Sequence, residues 1–151
     1  MKIHTIPEIL GEVPFFKDLK PEYREFLAGC ARNVHFKRGE FLLLAGKDAT
    51  HFYLIREGHV ALEMEAGNKI FSIQTIGEGQ ILGWSWLVPP YTWHYDARAV
   101  EPVSAISFDA KCVREKCEKD PVFGYELLKR FSRLIAERLM ATRIQMADLY
   151  Q

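Results

Sequence analysis

The residue types that perform catalysis or bind metals are few in this sequence, and their spacing suits neither role. Its five histidines never occur as an H-x-H pair followed by glutamate; they are His4, His35, His51, His59 and His94. Asp48 and His51 are the partners that a triad around Ser85 would need, but no nucleophile elbow surrounds that serine. A serine in this position is better suited to cap its own short turn. The sequence therefore predicts a protein that is not an enzyme and that holds no metal or cofactor.

The three cysteines, Cys30, Cys112 and Cys117, are odd in number and lack the spacing of a metal site. Cys112 and Cys117 are five residues apart, so on a helix they point in different directions. These positions favour three reduced thiols in a cytoplasmic protein. The start, MKIHTIPEIL, lacks the pattern of a signal peptide, and the longest aliphatic run, FLLLA, is too short to cross a bilayer.

One short segment, GWSWLVPPYTWHY at residues 83–95, contains all three tryptophans of the chain. It also contains two prolines, two tyrosines and a histidine, but no Asp, Glu, Lys or Arg. Val88 precedes a proline and should leave the helical region, so the turn from Gly83 to Leu87 is little more than one helical turn. Exposed backbone amides at the start of such a turn suit an anion.

The elements that must position this segment form three regions of one domain, which spans residues 1–151. Helical signals run through about residues 1–32, glycine-punctuated short strands through 33–109, and helices again through 110–151. The 151 residues are 48% hydrophobic and 26% charged, which is typical of a single globular domain. Regularly spaced strands predict a sandwich or barrel, so the fold class is mainly β with flanking α-helices.

An apolar stripe at three- and four-residue steps follows the last helix for roughly thirty residues, or about 45 Å. It includes Phe131, Leu134, Ile135, Leu139 and Met146. Because a barrel of this size is shorter than that helix, we expect part of the stripe to project and contact a second copy of the chain. The alternative is that the stripe folds back on its own domain.

Five motifs, in this order, resemble the cyclic-nucleotide-binding domain of catabolite-activator-type regulators. They are FKRGEFLLLAG, FYLIREGHVAL, IGEGQILG, ARAVEPVSAISF and CEKDPVFGYELLKRFSRLIAERLMATR. The resemblance covers about residues 14–146 and implies an eight-stranded β-roll (a jelly roll) with N-terminal helices and a long C-terminal helix. It also implies a regulatory role, with a ligand between roll and helix and residues 83–95 as the phosphate-binding cassette.

Direct binding to DNA is not expected. Lys plus Arg and Asp plus Glu both total 20, so the formal net charge is zero and no basic field attracts nucleic acid. Regulators of this family carry a helix-turn-helix module after the long helix, whereas this sequence ends at Gln151.

At the cassette the sequence departs from the family pattern. Family members follow the cassette glycine with a glutamate that holds the ribose, and an arginine further along holds the cyclic phosphate. With Gly83 at the family glycine, Trp84 takes the glutamate position and Trp93 the arginine position. Strand alternation places Trp93 and Arg98 on opposite faces, so Arg98 should face solvent or a neighbouring strand unless a bulge turns it inward.

Two further residues are candidates for ligand contact. His94, beside Trp93, is able to carry a positive charge at mildly acidic pH, although a neutral histidine bonded to a loop carbonyl is the simpler interpretation. Thr142 falls where the long helix of some family members offers a hydroxyl to the nucleotide base. An outward-facing threonine on a helix needs no such explanation.

The free energies of the lost contacts and of base stacking decide whether a cyclic nucleotide still binds. Losing the charged partner of a buried phosphate costs about 2–5 kcal/mol, and losing the ribose contact costs about 1–3 kcal/mol more. Stacking a base on tryptophan returns about 1–3 kcal/mol, which does not close the gap. We therefore predict that ordinary cyclic AMP and cyclic GMP bind weakly or not at all.

Three roles remain open for the aromatic segment. It lines a pocket for a small aromatic or nucleotide-like ligand, or it fills that pocket itself and leaves a ligand-free, dimeric interaction module. As a third role, PPYTWHY is an exposed loop that docks another protein. A genuine cyclic-nucleotide site that uses Arg98 is a further alternative. The candidate ligand-contact residues are Gly83, Trp84, Ser85, Trp86, Trp93, His94, Tyr95, Arg98 and Thr142.

Overall fold

The computed structural model describes residues 4–149, which form eight strands, four α-helices and one 3₁₀ turn. The strands are β1 (Ala31–Phe36), β2 (Phe41–Leu43), β3 (His51–Glu57), β4 (Val60–Ala66), β5 (Lys69–Ile76), β6 (Ile81–Leu82), β7 (Asp96–Ala99) and β8 (Val103–Asp109). The helices are α1 (Ile6–Glu12), α2 (Pro21–Gly29), α3 (Ala110–Lys119) and α4 (Pro121–Leu149). The 3₁₀ turn is Ser85–Leu87.

The strands make two four-stranded antiparallel sheets, with strand orders β1-β8-β3-β6 and β2-β7-β4-β5. The two sheets face each other across the hydrophobic core, as a jelly roll requires. The predicted eight-stranded β-roll with flanking helices is therefore confirmed. None of the described helices has the length and hydropathy needed to cross a membrane.

Local chemistry explains where the last two helices begin. The Asp109 carboxylate accepts a hydrogen bond from the Cys112 N–H at 3.0 Å and caps α3. The Asp120 carboxylate accepts one from the Phe123 N–H at 3.2 Å, and Pro121 is the first residue of α4. The residue before a proline disfavours helical geometry, and proline suits the first position of a helix, so Asp120 ends α3 and Pro121 begins α4.

The first half of α4 packs on its own domain. Phe123, Leu127 and Phe131 are fully buried, and the Phe131 ring contacts Phe15 and Phe52 edge-on. Phe131 therefore belongs to the core and is not available to a second copy, which corrects its assignment to a dimer interface.

The second half of α4 is much less covered. Leu139 and Met146 are 50% and 51% exposed, whereas Leu134 and Ile135 are partly buried. The apolar stripe thus divides in two, with its beginning in the core and its continuation open on the surface.

The expectation of three reduced thiols is wrong, because Cys30 and Cys112 form a disulfide bond. Strands β1 and β8 are antiparallel neighbours that pair Ala31 with Phe108. The end of α2 and the start of α3 therefore lie at the same end of the sheet. Their cysteines are 82 residues apart in sequence but only 6.0 Å apart between Cα atoms.

Cys117 remains a free thiol in the last turn of α3. Burial raises the pKa of this thiol to about 11, and the nearby carboxylates of Glu118 and Asp120 add to the effect. Because only the thiolate is a good nucleophile, Cys117 is poorly reactive at neutral pH.

Candidate functional site

The indole of Trp93 lies directly against Gly83, the residue that follows β6. A Cβ added at Gly83 would lie 2.7 Å from Cη2 of Trp93, and Gly83 has a φ of +98°. Trp93 is only 4% exposed, and its backbone pairs with the loop after β2 through Lys47 O and Gly46 N at 3.0 and 2.8 Å. The ring is therefore fixed over the glycine, and only a residue without a side chain fits beneath it.

Trp86, on the 3₁₀ turn, is fully buried in a column of aromatic rings. Its ring stacks on Phe52 of β3, with centroids 4.5 Å apart and planes 14° apart, and it meets Phe131 of α4 edge-on at 5.2 Å. Phe52 in turn stacks on Phe108 of β8 at 4.7 Å. These offset and edge-on contacts join the cassette turn to the roll and to the long helix.

The turn that carries Trp86 is short, as predicted. Val88 is extended, with φ −119° and ψ 123°, so the helical geometry ends before the prolines. Trp84 precedes the turn and packs partly against the core. Ser85 does not cap the turn: its Oγ is buried and has no hydrogen-bond partner among the described residues. The expected capping role of Ser85 is therefore wrong.

Arg114 of α3 holds this turn from outside, and no local pattern in the sequence predicts this contact. Its Nη1 donates to the Trp86 carbonyl at 2.8 Å, and its guanidinium lies 4.3 Å from the centre of the Tyr91 ring. Tyr91, the first tyrosine of PPYTWHY, is thus covered by a cation and Trp93 is buried, while His94 is exposed. Most of the aromatic surface in this loop faces the protein, which leaves little for docking.

Arg98 lies on the outer face of β7. Its neighbours Ala97 and Ala99 are fully buried, so strand alternation turns Arg98 away from the core. Its Nε and Nη2 donate to the two carboxylate oxygens of Glu63 on β4 at 2.9 and 3.1 Å. The hydrogen bond and the charge of Glu63 raise the pKa of Arg98. The guanidinium is therefore part of a strand-to-strand ion pair outside the roll.

A different arginine, Arg138 of α4, enters the interface between helix and roll. Its Nη2 donates to the Ile81 carbonyl of β6, while Nη1 is buried without a hydrogen-bond partner in the described part of the chain. The Tyr95 hydroxyl beside it is likewise buried and makes no hydrogen bond of normal geometry with a described residue. Burial raises the pKa of Tyr95, and the charge of Arg138 opposes that rise. Burial lowers the pKa of Arg138.

Sequence reasoning missed Arg138, although a signal was present. Position 138 lies four residues after Leu134 and seven after Phe131, on the face of α4 that packs against the roll. Thr142, one turn further on, donates its hydroxyl to the Arg138 carbonyl at 3.0 Å. The hydroxyl that was a candidate for a nucleotide base is thus bonded within its own helix.

The candidate residues consequently divide into separate groups. Gly83, Trp86 and Trp93 lie in the packed interior, and Tyr95 lies beside Arg138 at the helix interface. Arg98 and His94 are not brought to either place. Within residues 4–149, no group of three or more His, Cys, Asp or Glu side chains is placed to hold a metal ion.

Comparison with known proteins agrees with this architecture. Residues 33–120 match the family model described as cyclic nucleotide-binding domain. The chain is 32% identical over 76 residues to the cAMP-dependent protein kinase type II regulatory subunit of Drosophila melanogaster. That alignment covers 50% of this chain and 20% of the relative, so the matched region spans about a fifth of the length of the longer protein.

Two solved structures have a similar fold over most of their length. A Geobacter metallireducens GS-15 protein named for cyclic nucleotide binding is 26% identical, with a TM-score of 0.81 over 88% of this chain and 97% of its own. A cyclic nucleotide-binding domain from Methylobacillus flagellatus KT is 21% identical, with a TM-score of 0.79 over 95% and 82%. The second likeness shows the fold alone.

Proposed function

The chain belongs to the cyclic nucleotide-binding domain family, and we propose that it is a non-catalytic regulatory domain whose cassette is filled by its own tryptophans. On this proposal, ordinary cyclic AMP and cyclic GMP bind weakly or not at all. The observation that carries the proposal is the Trp93 ring against Gly83, in the space beside the cassette glycine. The position of Arg98, bonded to Glu63 outside the roll, supports the same conclusion.

Filling the cassette changes the energetics of ligand binding in two ways. A ligand that contacts the backbone beside Gly83 has to displace Trp93, and exposing a buried aromatic side chain costs about 1.5–3 kcal/mol. It then meets no Asp, Glu, Lys or Arg side chain on residues 83–95. The missing ribose and phosphate contacts remove about two to five decades of affinity. The two effects add, because displacement and lost contacts are separate costs.

The output of such a domain is the position of α4 relative to the roll. Three contacts fix that position: Phe131 in the aromatic column, Arg138 on the Ile81 carbonyl, and Gln145 on the Ile73 carbonyl. Any signal that loosens these contacts moves the helix as a unit. The regulatory subunit of the Drosophila kinase is a precedent for a regulatory role in this family.

We also propose that the second half of α4 pairs with a second copy of the chain. Its open positions Leu139 and Met146 are seven residues apart, and Ile135 precedes Leu139 by four, which is the heptad spacing of a coiled-coil seam. A helix with this spacing is best covered by an identical helix on a two-fold axis. Leu134 contributes less, since it is partly packed on the domain's own core.

The proposed function is tested by calorimetric titration of the full chain with cyclic AMP and cyclic GMP. We expect no saturable heat up to about 1 mM nucleotide. A family member that keeps the cassette glutamate and arginine is the positive control under the same conditions. A micromolar or tighter constant for either nucleotide would show the proposal wrong.

A thermal-shift screen separates the ligand-free domain from a sensor of some other small molecule. Nucleosides and small aromatic metabolites are added to the native protein, because a ligand that binds the folded state raises its Tm. We expect no shift for the native chain. A saturable rise that is lost in the Trp84→Ala or Trp93→Ala variant would favour a sensor that uses the aromatic segment.

A further inference from the structure

A cavity of about 390 Å³ opens at the end of the β1-β8-β3-β6 sheet, in a part of the domain that contributes none of the cassette residues. The Cys30–Cys112 disulfide forms part of its wall. Arg32, His51 and Asp109 lie on the same wall. A cavity of this volume is within the range that binds small molecules, and its wall contains a bond that a thiol cleaves.

The two cysteines of the disulfide differ in exposure. Cys30 is 9% exposed, at the end of α2, whereas Cys112 is half-buried in the first turn of α3. Of the two residues, Cys112 is therefore the more exposed to an incoming thiolate. Attack at Cys112 makes Cys30 the leaving group.

The wall of the cavity contains one cation, Arg32, and one carboxylate, Asp109, and the cation is the group that can bind a carboxylate-bearing thiol. Arg32 is exposed and forms no ion pair within 4.0 Å with any residue in the range 4–149. The Asp109 carboxylate already accepts the Cys112 N–H, and His51 Nδ1 lies 3.0 Å from the Thr50 hydroxyl. Arg32 is thus the group in this wall that is free to bind an incoming carboxylate.

We propose that this cavity is a thiol–disulfide exchange site whose substrate is a low-molecular-weight thiol bearing a carboxylate. The thiolate of the first molecule bonds to Cys112 Sγ, the Cys30–Cys112 bond breaks, and Cys30 Sγ leaves with the electron pair and takes a proton. A second thiolate attacks the mixed disulfide and releases Cys112 as a thiol. In total, two thiols are oxidised to one small disulfide, and the protein disulfide is reduced to two thiols.

Exchange at this site has a direct route to the cassette. Cys112 is two residues before Arg114, whose guanidinium holds the Trp86 carbonyl and covers the Tyr91 ring. Opening the disulfide frees the first turn of α3 from α2, so the contact between Arg114 and the turn loses its external support. The exchange site itself does not depend on the proposed state of the cassette.

The test uses the full native chain in glutathione buffers of increasing reduced-to-oxidised ratio. Free thiols are trapped with N-ethylmaleimide and mapped by mass spectrometry. We expect Cys30 and Cys112 to become labelled together as the ratio rises, and the Cys30→Ser variant to carry glutathione on Cys112. Cys117, with its pKa raised to about 11, is the internal control and stays largely unlabelled without denaturant.

The Arg32→Gln variant tests whether the cavity binds the carboxylate. We expect its rate of reduction by glutathione to fall about two- to fivefold, while the rate with uncharged 2-mercaptoethanol is unchanged. Labelling of Cys30 and Cys112 only after unfolding would overturn the exchange site. Equal effects of the variant on both thiols, or no effect on either, would overturn the recognition of a carboxylate-bearing thiol.

Discussion

The Arg98 guanidinium and the Glu63 carboxylate form two parallel hydrogen bonds across the β4–β7 pair, at 2.9 and 3.1 Å. A paired fork of this kind fixes the direction of both side chains. Because Ala97 and Ala99 on either side point into the core, the arginine of β7 is held on the outside of the roll. Arg98, the arginine nearest in sequence to the cassette, is therefore already paired with Glu63.

Releasing Arg98 from this pair does not create a nucleotide site. In Glu63→Gln the guanidinium loses its charged partner, but the pleat of β7 still directs it outward. We expect no thermal shift with cyclic AMP in this variant, as in the native chain. A shift that appears in Glu63→Gln and disappears in the Glu63→Gln/Arg98→Gln double variant would show that Arg98 is able to turn inward.

The contact between Gly83 and Trp93 predicts unequal effects for two glycine substitutions. Gly79→Ala introduces a side chain at a φ of +82° with no described atom within 4 Å, so its cost is backbone strain of about 1 kcal/mol. Gly83→Ala causes similar backbone strain. In addition, its Cβ overlaps the indole of Trp93, which costs about 1–3 kcal/mol more. Urea unfolding of both variants measures the difference, and Gly79→Ala is the matched control.

A double-mutant cycle identifies the partner in that overlap. In the Trp93→Ala background the added Cβ at Gly83 has room, so the cost of Gly83→Ala should fall towards that of Gly79→Ala. If Gly83→Ala costs the same with and without the indole, Trp93 does not lie over the glycine in solution.

Trp93→Ala should open a cavity that accepts indole. We expect this variant to lose about 3–5 kcal/mol of unfolding free energy, because a large buried ring is removed. Added indole then refills the space and raises the Tm of the variant without raising that of the native chain. Trp84→Ala is the control, since Trp84 is only partly buried and its removal leaves no enclosed space. Equal responses to indole in both variants would argue against a ring that fills the cassette.

The local features of this site were predictable from sequence and the long-range ones were not. The extended backbone at Val88 and the outward direction of Arg98 follow from a proline neighbour and from strand alternation. Neither rule depends on other parts of the chain. The burial of Trp86, in contrast, depends on Phe52 and Phe131, which come from β3 and α4.

The disulfide and the buried arginine show the same limit. Cys30 and Cys112 meet because β1 and β8 are neighbours in one sheet, a pairing that spacing in sequence does not reveal. Arg138 lies in phase with Phe131 on α4, so its inward direction was readable once the buried face was known. Its partner, the Ile81 carbonyl, was not predictable, because every residue has a backbone carbonyl and the residue type does not show which one accepts a hydrogen bond.

The open half of α4 predicts a dimer that one charge disrupts. By light scattering, we expect the native chain to have the mass of two chains and the Leu139→Glu variant to have the mass of one. A carboxylate in a heptad seam loses its hydration when the helices pair, which makes pairing unfavourable. Val122→Glu is the control, since Val122 is 57% exposed in the first turn of α4, far along the helix from Leu139. A native chain that is monomeric across the accessible concentrations would contradict the dimer.

Tyr95→Phe should extend stability at alkaline pH. Burial raises the folded-state pKa of Tyr95 above its unfolded value of 10.0, so its contribution is fully present below pH 10 and is lost as pH rises through the folded pKa. Phenylalanine removes that loss. The Tm of the variant relative to that of the native chain should therefore be constant below pH 10 and should rise above it. Tyr125→Phe, at an exposed tyrosine on α4, is the control and should show no such growth. A difference between Tyr95→Phe and the native chain that shrinks above pH 10 would mean that Arg138 stabilises the phenolate more than burial disfavours it.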